Sequence, residues 1–242
     1  MAWRYTLPKK SEQKLSDKFY YGFSKQEIIW VIVFIIIASF MSFIPIIPND
    51  NPIKIITTFI IFTIIILINI IAKKIGSKNY SIKIEHKVWE FQRWGIYKRS
   101  KFKKPVPMGL IAPFFLTLFS LGYLKPFIFF QFNAENLPAK RILKATGGRS
   151  AERKEQINEE DLAYTAAWGF YSLLILAIIG TILSSFLNLE FGADLAKYSI
   201  YFGFWNLLPL FNLDGIKLFF GAFLGWVFIT FLYLIGLLVV IF

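Results

Sequence analysis

Long charge-free apolar runs alternate along the chain with short lysine-rich polar segments. Residues 28–47 form 20 consecutive positions without a charge. At about 1.5 Å rise per residue, such a run crosses a hydrocarbon core of about 30 Å. Pro45 and Pro48 set the end of this helix near Ile44. Residues 55–72 form a second span, and the short polar link from Asn49 to Pro52 makes the pair a tight helical hairpin. Residues 162–187 form a third. Its start is marked by Asn158 as a cap and by Glu159, Glu160 and Asp161 in the first turn. Residues 198–213, interrupted by Pro209, are a fourth, and residues 218–242 a fifth. Residues 109–132 fit this series poorly. Pro113 lies inside the run, Lys125-Pro126 breaks it, and the remaining apolar stretch is short for a crossing. A re-entrant or interfacial helix followed by a short strand is expected there.

Between residues 73 and 107 the period changes. Tyr80, Ile82 and Ile84 alternate with Ser81, Lys83 and Glu85, and residues 88–94 continue a mixed pattern. Period-two alternation predicts one or two short strands. The expected fold is therefore an all-α polytopic membrane protein with about five transmembrane helices, one re-entrant or interfacial segment and a short cytoplasmic β element. Its organisation is expected to be a basic arm (1–27), a transmembrane hairpin (28–72) and a basic β segment (73–107). The re-entrant segment (108–132), a loop (133–161) and the remaining transmembrane helices (162–242) follow.

Charge orients these pieces. Lys and Arg number six in residues 1–27, eleven in 73–107 and six in 133–161, against one each in 48–54 and 188–197. The positive-inside rule places the first three segments on the cytoplasmic side. A re-entrant 109–132 satisfies every count, with the N-terminus inside and the C-terminus outside. The first apolar run is too long for a signal-peptide core and is expected to act as an uncleaved anchor. Lys98, Arg99, Lys101, Lys103 and Lys104 form a basic cluster beside the membrane. Contact with anionic headgroups is a sufficient cause for it, and no nucleic-acid partner is expected.

Composition narrows the chemistry. The chain is 56% hydrophobic, 19% aromatic and 17% charged, with a net charge of +12. It is neither a disordered chain nor an ordinary soluble domain. There is no Cys, which removes disulfides, thiolate metal sites and cysteine nucleophiles. His86 is the only histidine.

Asn206, Pro209, Leu213, Asp214 and Gly215 form an N-x-x-P-x-x-x-L-D-G pattern inside an apolar segment. An acidic residue in such a setting marks a functional site by default. The pattern resembles the second motif of site-2 proteases, the zinc-dependent intramembrane metallopeptidases. Residues 55–220 follow that family's order, with IIILINIIAKKIG over 64–76 and Ala167-Trp168-Gly169 opening the next span. The divergent archaeal members are the most similar. The resemblance implies that Asp214 is a zinc ligand and that Asn206 and Pro209 shape a substrate cleft.

The first motif of that family, H-E-x-x-H, is missing. Aligned through Ala72 and Gly76, its three positions hold Ile64, Ile65 and Ile68. Aligned through Glu85-His86, they hold Ile82, Lys83 and His86. A catalytic zinc needs about three protein ligands. His86, read as a surface or interfacial residue, and Asp214 supply at most two. The expectation is a catalytically inactive pseudoprotease without a cofactor, embedded in the lipid bilayer and binding transmembrane segments or partner membrane proteins. The alternatives are an active zinc metalloprotease with a metal site rebuilt from Asp214, His86, Glu85 or Glu90, and a small transporter or lipid-handling protein using Asp214 as an ion site. Asp214 also has a structural reading, as the cap of a following helix with Lys217 as charge partner.

Overall fold

The computed structural model describes residues 22–44, 52–80, 82–93, 101–136, 157–210 and 212–241. Among them are seven helices: α1 (Lys25–Ser42), α2 (Pro52–Asn79), α3 (Met108–Phe119), α4 (Glu159–Leu187), α5 (Glu190–Leu207), α6 (Asp214–Gly221) and α7 (Phe223–Ile241). Four strands accompany them: β1 (Ile82–Val88), β2 (Phe91–Arg93), β3 (Lys101–Val106) and β4 (Phe130–Asn136). Most of the basic arm, Lys98, Arg99 and most of the 133–161 loop lie outside the described residues.

Four helices, α1, α2, α4 and α7, are long and apolar enough to cross a membrane, where the sequence pattern predicts five. The difference lies in α5. It starts at Glu190 rather than Tyr198 and carries Glu190, Asp194 and Lys197 in its first half. It nonetheless returns antiparallel along α4. Gly180 of α4 packs directly on Gly192 and Ala196 of α5, which small residues permit. Asn188, in the left-handed conformation at φ 50°, makes the turn between them. The predicted fifth span is also two helices, because the backbone breaks at Ala222 between α6 and α7. Helix α2 runs seven residues past Ala72, so Lys73, Lys74 and Ser77 belong to its buried face and not to a β segment.

The short-strand expectation holds for two antiparallel pairs. β1 pairs with β4, with His86 opposite Phe132 and Val88 opposite Phe130. β2 pairs with β3 through an irregular register. In β1, Ile82, Ile84, His86 and Val88 are buried while Lys83, Glu85 and Lys87 are half-buried. Helix α3 has twelve residues, too short for a crossing. After it the chain turns at Leu121 and Gly122, both at positive φ, and runs without regular structure, through a left-handed Phe127 at φ 52°, into β4. Phe127, Ile128, Phe130 and Phe132 are buried among α1, α2, α4 and α5, and Phe129 is buried with Trp89 and Leu213. Irregular backbone at this depth survives only where protein surrounds it and satisfies its polar groups.

Candidate functional site

Pro209 ends α5, and the freed carbonyl of Leu207 accepts a hydrogen bond from the indole of Trp226, 3.0 Å. The chain then turns back so tightly that Gly215 lies against the Leu207 carbonyl. Any side chain at 215 would collide with that backbone. This reversal brings Asn206, at the end of α5, and Asp214, at the start of α6, to the same end of the bundle as β4. Leu213 is the residue that precedes α6 and is fully buried with Trp89 and Phe129.

Asn206 serves this buried segment. Its Oδ1 accepts from Phe130 N at 2.8 Å, and its Nδ2 donates to Ile128 O at 3.1 Å and to Phe202 O at 2.9 Å. Lys217 Nζ donates to Phe132 O at 2.5 Å. Phe130 and Phe132 are alternate residues, so these two side chains occupy the edge of β4 that faces away from β1. They stand in for the missing neighbouring strand.

Asp214 is fully buried. Oδ2 accepts from Lys73 Nζ at 2.5 Å and Oδ1 from Lys217 Nζ at 3.2 Å. Burial alone would raise its pKa, but the Lys73 and Lys217 ammonium groups hold it below the ordinary carboxylate range. Burial pulls Lys217 down to about 8, against the opposing pull of Asp214. Lys73 reaches the site across α4 because Gly169 leaves room for its stem. A side chain at 169 would strike the Lys73 stem and the Asn69 amide. Asn69, one turn before Lys73, donates from Nδ2 to Gly169 O at 3.2 Å.

A second buried cluster adjoins the first. Glu27, in the first turn of α1, accepts from Lys74 Nζ at 2.7 Å, His86 Nδ1 at 2.8 Å and His86 N at 3.2 Å. Ser24 caps that turn. The His86 ring stacks on Phe130 at 5.0 Å, and Lys73 Nζ lies 5.2 Å from the centroid of the same ring. Burial lowers the His86 pKa to about 4, so the imidazole is neutral at pH 7. Its Nδ1 hydrogen then points to Glu27, and Nε2 is a buried acceptor without a partner.

Several expectations change here. His86 is not a surface residue but wholly buried, because β1 alternation puts it on the apolar face. Ile64, Ile65 and Ile68 do not face Asp214. Ile65 is fully buried in the apolar core and the other two pack against that core, while Lys73 of α2 meets the carboxylate. Ile82, Lys83 and His86 lie on a strand, where successive side chains alternate in direction, so they cannot share a helix face. The set Asp214, His86, Glu85 and Glu90 does not converge. Glu85 pairs with Lys83 at 2.9 Å on the outer face of β1, and Glu90 is exposed. Lys103 and Lys104 are exposed on β3.

The pairing of Lys217 with Asp214 is expected from sequence and present, whereas Glu27, Lys73 and Lys74 as buried partners are not foreseen. One signal was available: Asn69 and Lys73, four residues apart, make a polar stripe at the end of an apolar helix. Among the described residues, no group of three or more His, Cys, Asp or Glu side chains converges. The donors present do not fit a zinc ion, since ammonium groups face both Asp214 oxygens and would repel a dication. Compared with models of protein families, with curated proteins and with solved structures, the chain matches none.

Proposed function

We propose that this chain is a site-2-protease-like integral membrane protein without proteolytic chemistry, which holds transmembrane segments of partner proteins beside residues 206–214. It lies with its N-terminus on the cytoplasmic side and its C-terminus outside. One observation carries the reading: both oxygens of Asp214 are paired with lysine ammonium groups from α2 and α6. A carboxylate so paired is neutralised from both sides, and the net positive charge around it disfavours a hydrolytic metal. Asn206 and Lys217 hold the outer edge of β4 in place beside this stretch, which supports the reading.

The test uses detergent-purified protein and native membranes together. A model transmembrane substrate is expected to stay intact with added zinc. A photo-crosslinker at the half-buried Trp205 is expected to capture a partner membrane segment, and Asn206→Ala or Asp214→Ala to weaken that capture. Cleavage that a chelator stops would establish the metalloprotease instead. Capture unchanged by both substitutions would remove the cleft role.

A further inference from the structure

Tyr164, Trp168, Tyr171 and Ile175 recur along α4 at intervals of four, three and four residues and form one face of the helix. All four are exposed. They border a groove of about 430 Å³, whose other side is lined by Ala72 and Ile75 of α2 and by Tyr80 just after it. Trp168 packs on Gly76 of α2, and Tyr80 stacks on Tyr164 with centroids 5.8 Å apart. Rings thus crowd the end of the groove near the start of α4, and aliphatic Ile175 lies farther in. Tyr and Trp suit a boundary where one end is apolar and the other wet. That end also carries both signs of charge. Glu160 lies one turn before Tyr164 on the same face, a spacing that brings Cβ atoms to about 5–6 Å. Its side chain is exposed and, among the described residues, makes no ion pair or hydrogen bond. Asp161 adds a second carboxylate: burial, and then Tyr164 and Asp161 beside it, raise the Tyr80 pKa. With Glu159, these carboxylates outweigh the roughly +0.5 charge of a helix N-terminus. Lys78, one turn past Ile75, is exposed on the α2 side.

We propose that the groove between α2 and α4 is a binding site for a phospholipid with an ammonium headgroup. One acyl chain fills the apolar stretch along Ala72, Ile75 and Ile175. The ammonium lies against the Tyr80 and Tyr164 rings beside Glu160, since aromatic faces and a carboxylate both attract it. The phosphate faces Lys78. A headgroup with a phosphate and no ammonium would meet the same carboxylates with nothing to offset their repulsion. The chain as a whole, with net charge +12, draws anionic lipid, so this mouth is set apart by charge. It is also set apart in space from residues 206–214. Helix α6, which follows them, packs through Gly221 on the Glu159 carbonyl and Ala163 of α4, and the Tyr164 face stays exposed. The lipid site therefore goes beyond the reading above and does not rest on it.

The experiment titrates protein in mild detergent with phosphatidylethanolamine and with phosphatidylglycerol of the same acyl chains. Lipid bound per chain is read by native mass spectrometry. Wild type is expected to hold phosphatidylethanolamine about fivefold more tightly, the scale of one cation–π contact at an exposed site. Glu160→Gln and Tyr164→Leu are each expected to bring that ratio near one. Ala72→Phe, which fills the groove, is expected to weaken the binding of both lipids. Glu160 is exposed, so Glu160→Gln keeps the fold and stays readable even if Ala72→Phe does not. A photo-crosslinking residue in place of Ile175, used in native membranes, is expected to form an adduct with lipid. Equal or tighter binding of phosphatidylglycerol by wild type overturns the proposal. So does a ratio that Glu160→Gln and Tyr164→Leu both leave unchanged, or an adduct at position 175 with protein alone. None of these outcomes alters the reading of residues 206–214.

Discussion

Buried charges are the most consequential residues in this chain. Lys73, Asp214, Lys74, Glu27 and His86 are all removed from water, and Lys217 nearly so. Such pairs add little net stability over an apolar isostere, but breaking one strands a charge. Lys73→Met is therefore expected to destabilise the protein by about 3 kcal/mol. Adding Asp214→Leu and Lys217→Met together, so that no partner is stranded, should recover most of the loss, as equilibrium unfolding in detergent would report. His86 gives a second expectation. The unfolded chain takes up a proton as pH falls through 6.5, whereas burial delays protonation of the folded chain to about 4. The His86 contribution is thus fully present above 6.5 and is lost as pH drops toward 4, by up to about 3 kcal/mol over the window. A melting-temperature series against pH should show that slope, and His86→Gln should flatten it.

At the level of elements, the N-x-x-P-x-x-x-L-D-G stretch does structural work that the sequence alone does not disclose. Pro209 and Gly215 fold α5 back on α6, and Asn206 hydrogen-bonds a strand some 76 positions away in the chain. Replacing Asn206 by Ala leaves Phe130 N–H and Ile128 C=O buried without their partner, at about 1–3 kcal/mol for each group. Hydrogen exchange at the Phe130 amide should accelerate, and by more than in Lys217→Met, which frees the Phe132 carbonyl and Asp214 Oδ1 but no amide of β4. The apolar helices, the short α3 and the β1 alternation are legible in the sequence, because burial and period set them locally. The start of α5 is not, since Glu190, Asp194 and Lys197 mask an apolar face that forms only against α4. Nor is the Glu27 cluster, whose members are polar residues that read as solvated until three separate elements close over them. His86 was legible in principle: it occupies the next position of the apolar series Ile82, Ile84, Val88.

For the whole molecule, the path of residues 108–136 decides how the chain sits in a bilayer. Gly109 N bonds Trp89 O, level with the strands. Lys125 Nζ bonds Ser42 O, the last residue of α1, and feels the charge of Lys197 near the start of α5. By Phe130 the chain is back beside Phe34 and His86, toward the end of α1 where Glu27 lies. The segment therefore reaches one end of the bundle and returns to the other, with α3 leading out and irregular chain leading back. Such a path is compatible with the proposed topology, in which the lysine-rich segments before and after it share the cytoplasmic side. The chain contains no cysteine, so single-cysteine labelling needs no background removed. Tyr123, 91% exposed at the tip, is the informative position. In intact cells, Tyr123→Cys is expected to react with a membrane-impermeant maleimide, and Lys83→Cys on β1 to react only after permeabilisation. Both sites reacting from the same side would mean that α3 never leaves the cytoplasmic face. The contact between Lys125 and the end of α1 would then have to be formed with α1 lying in the interface rather than across the membrane.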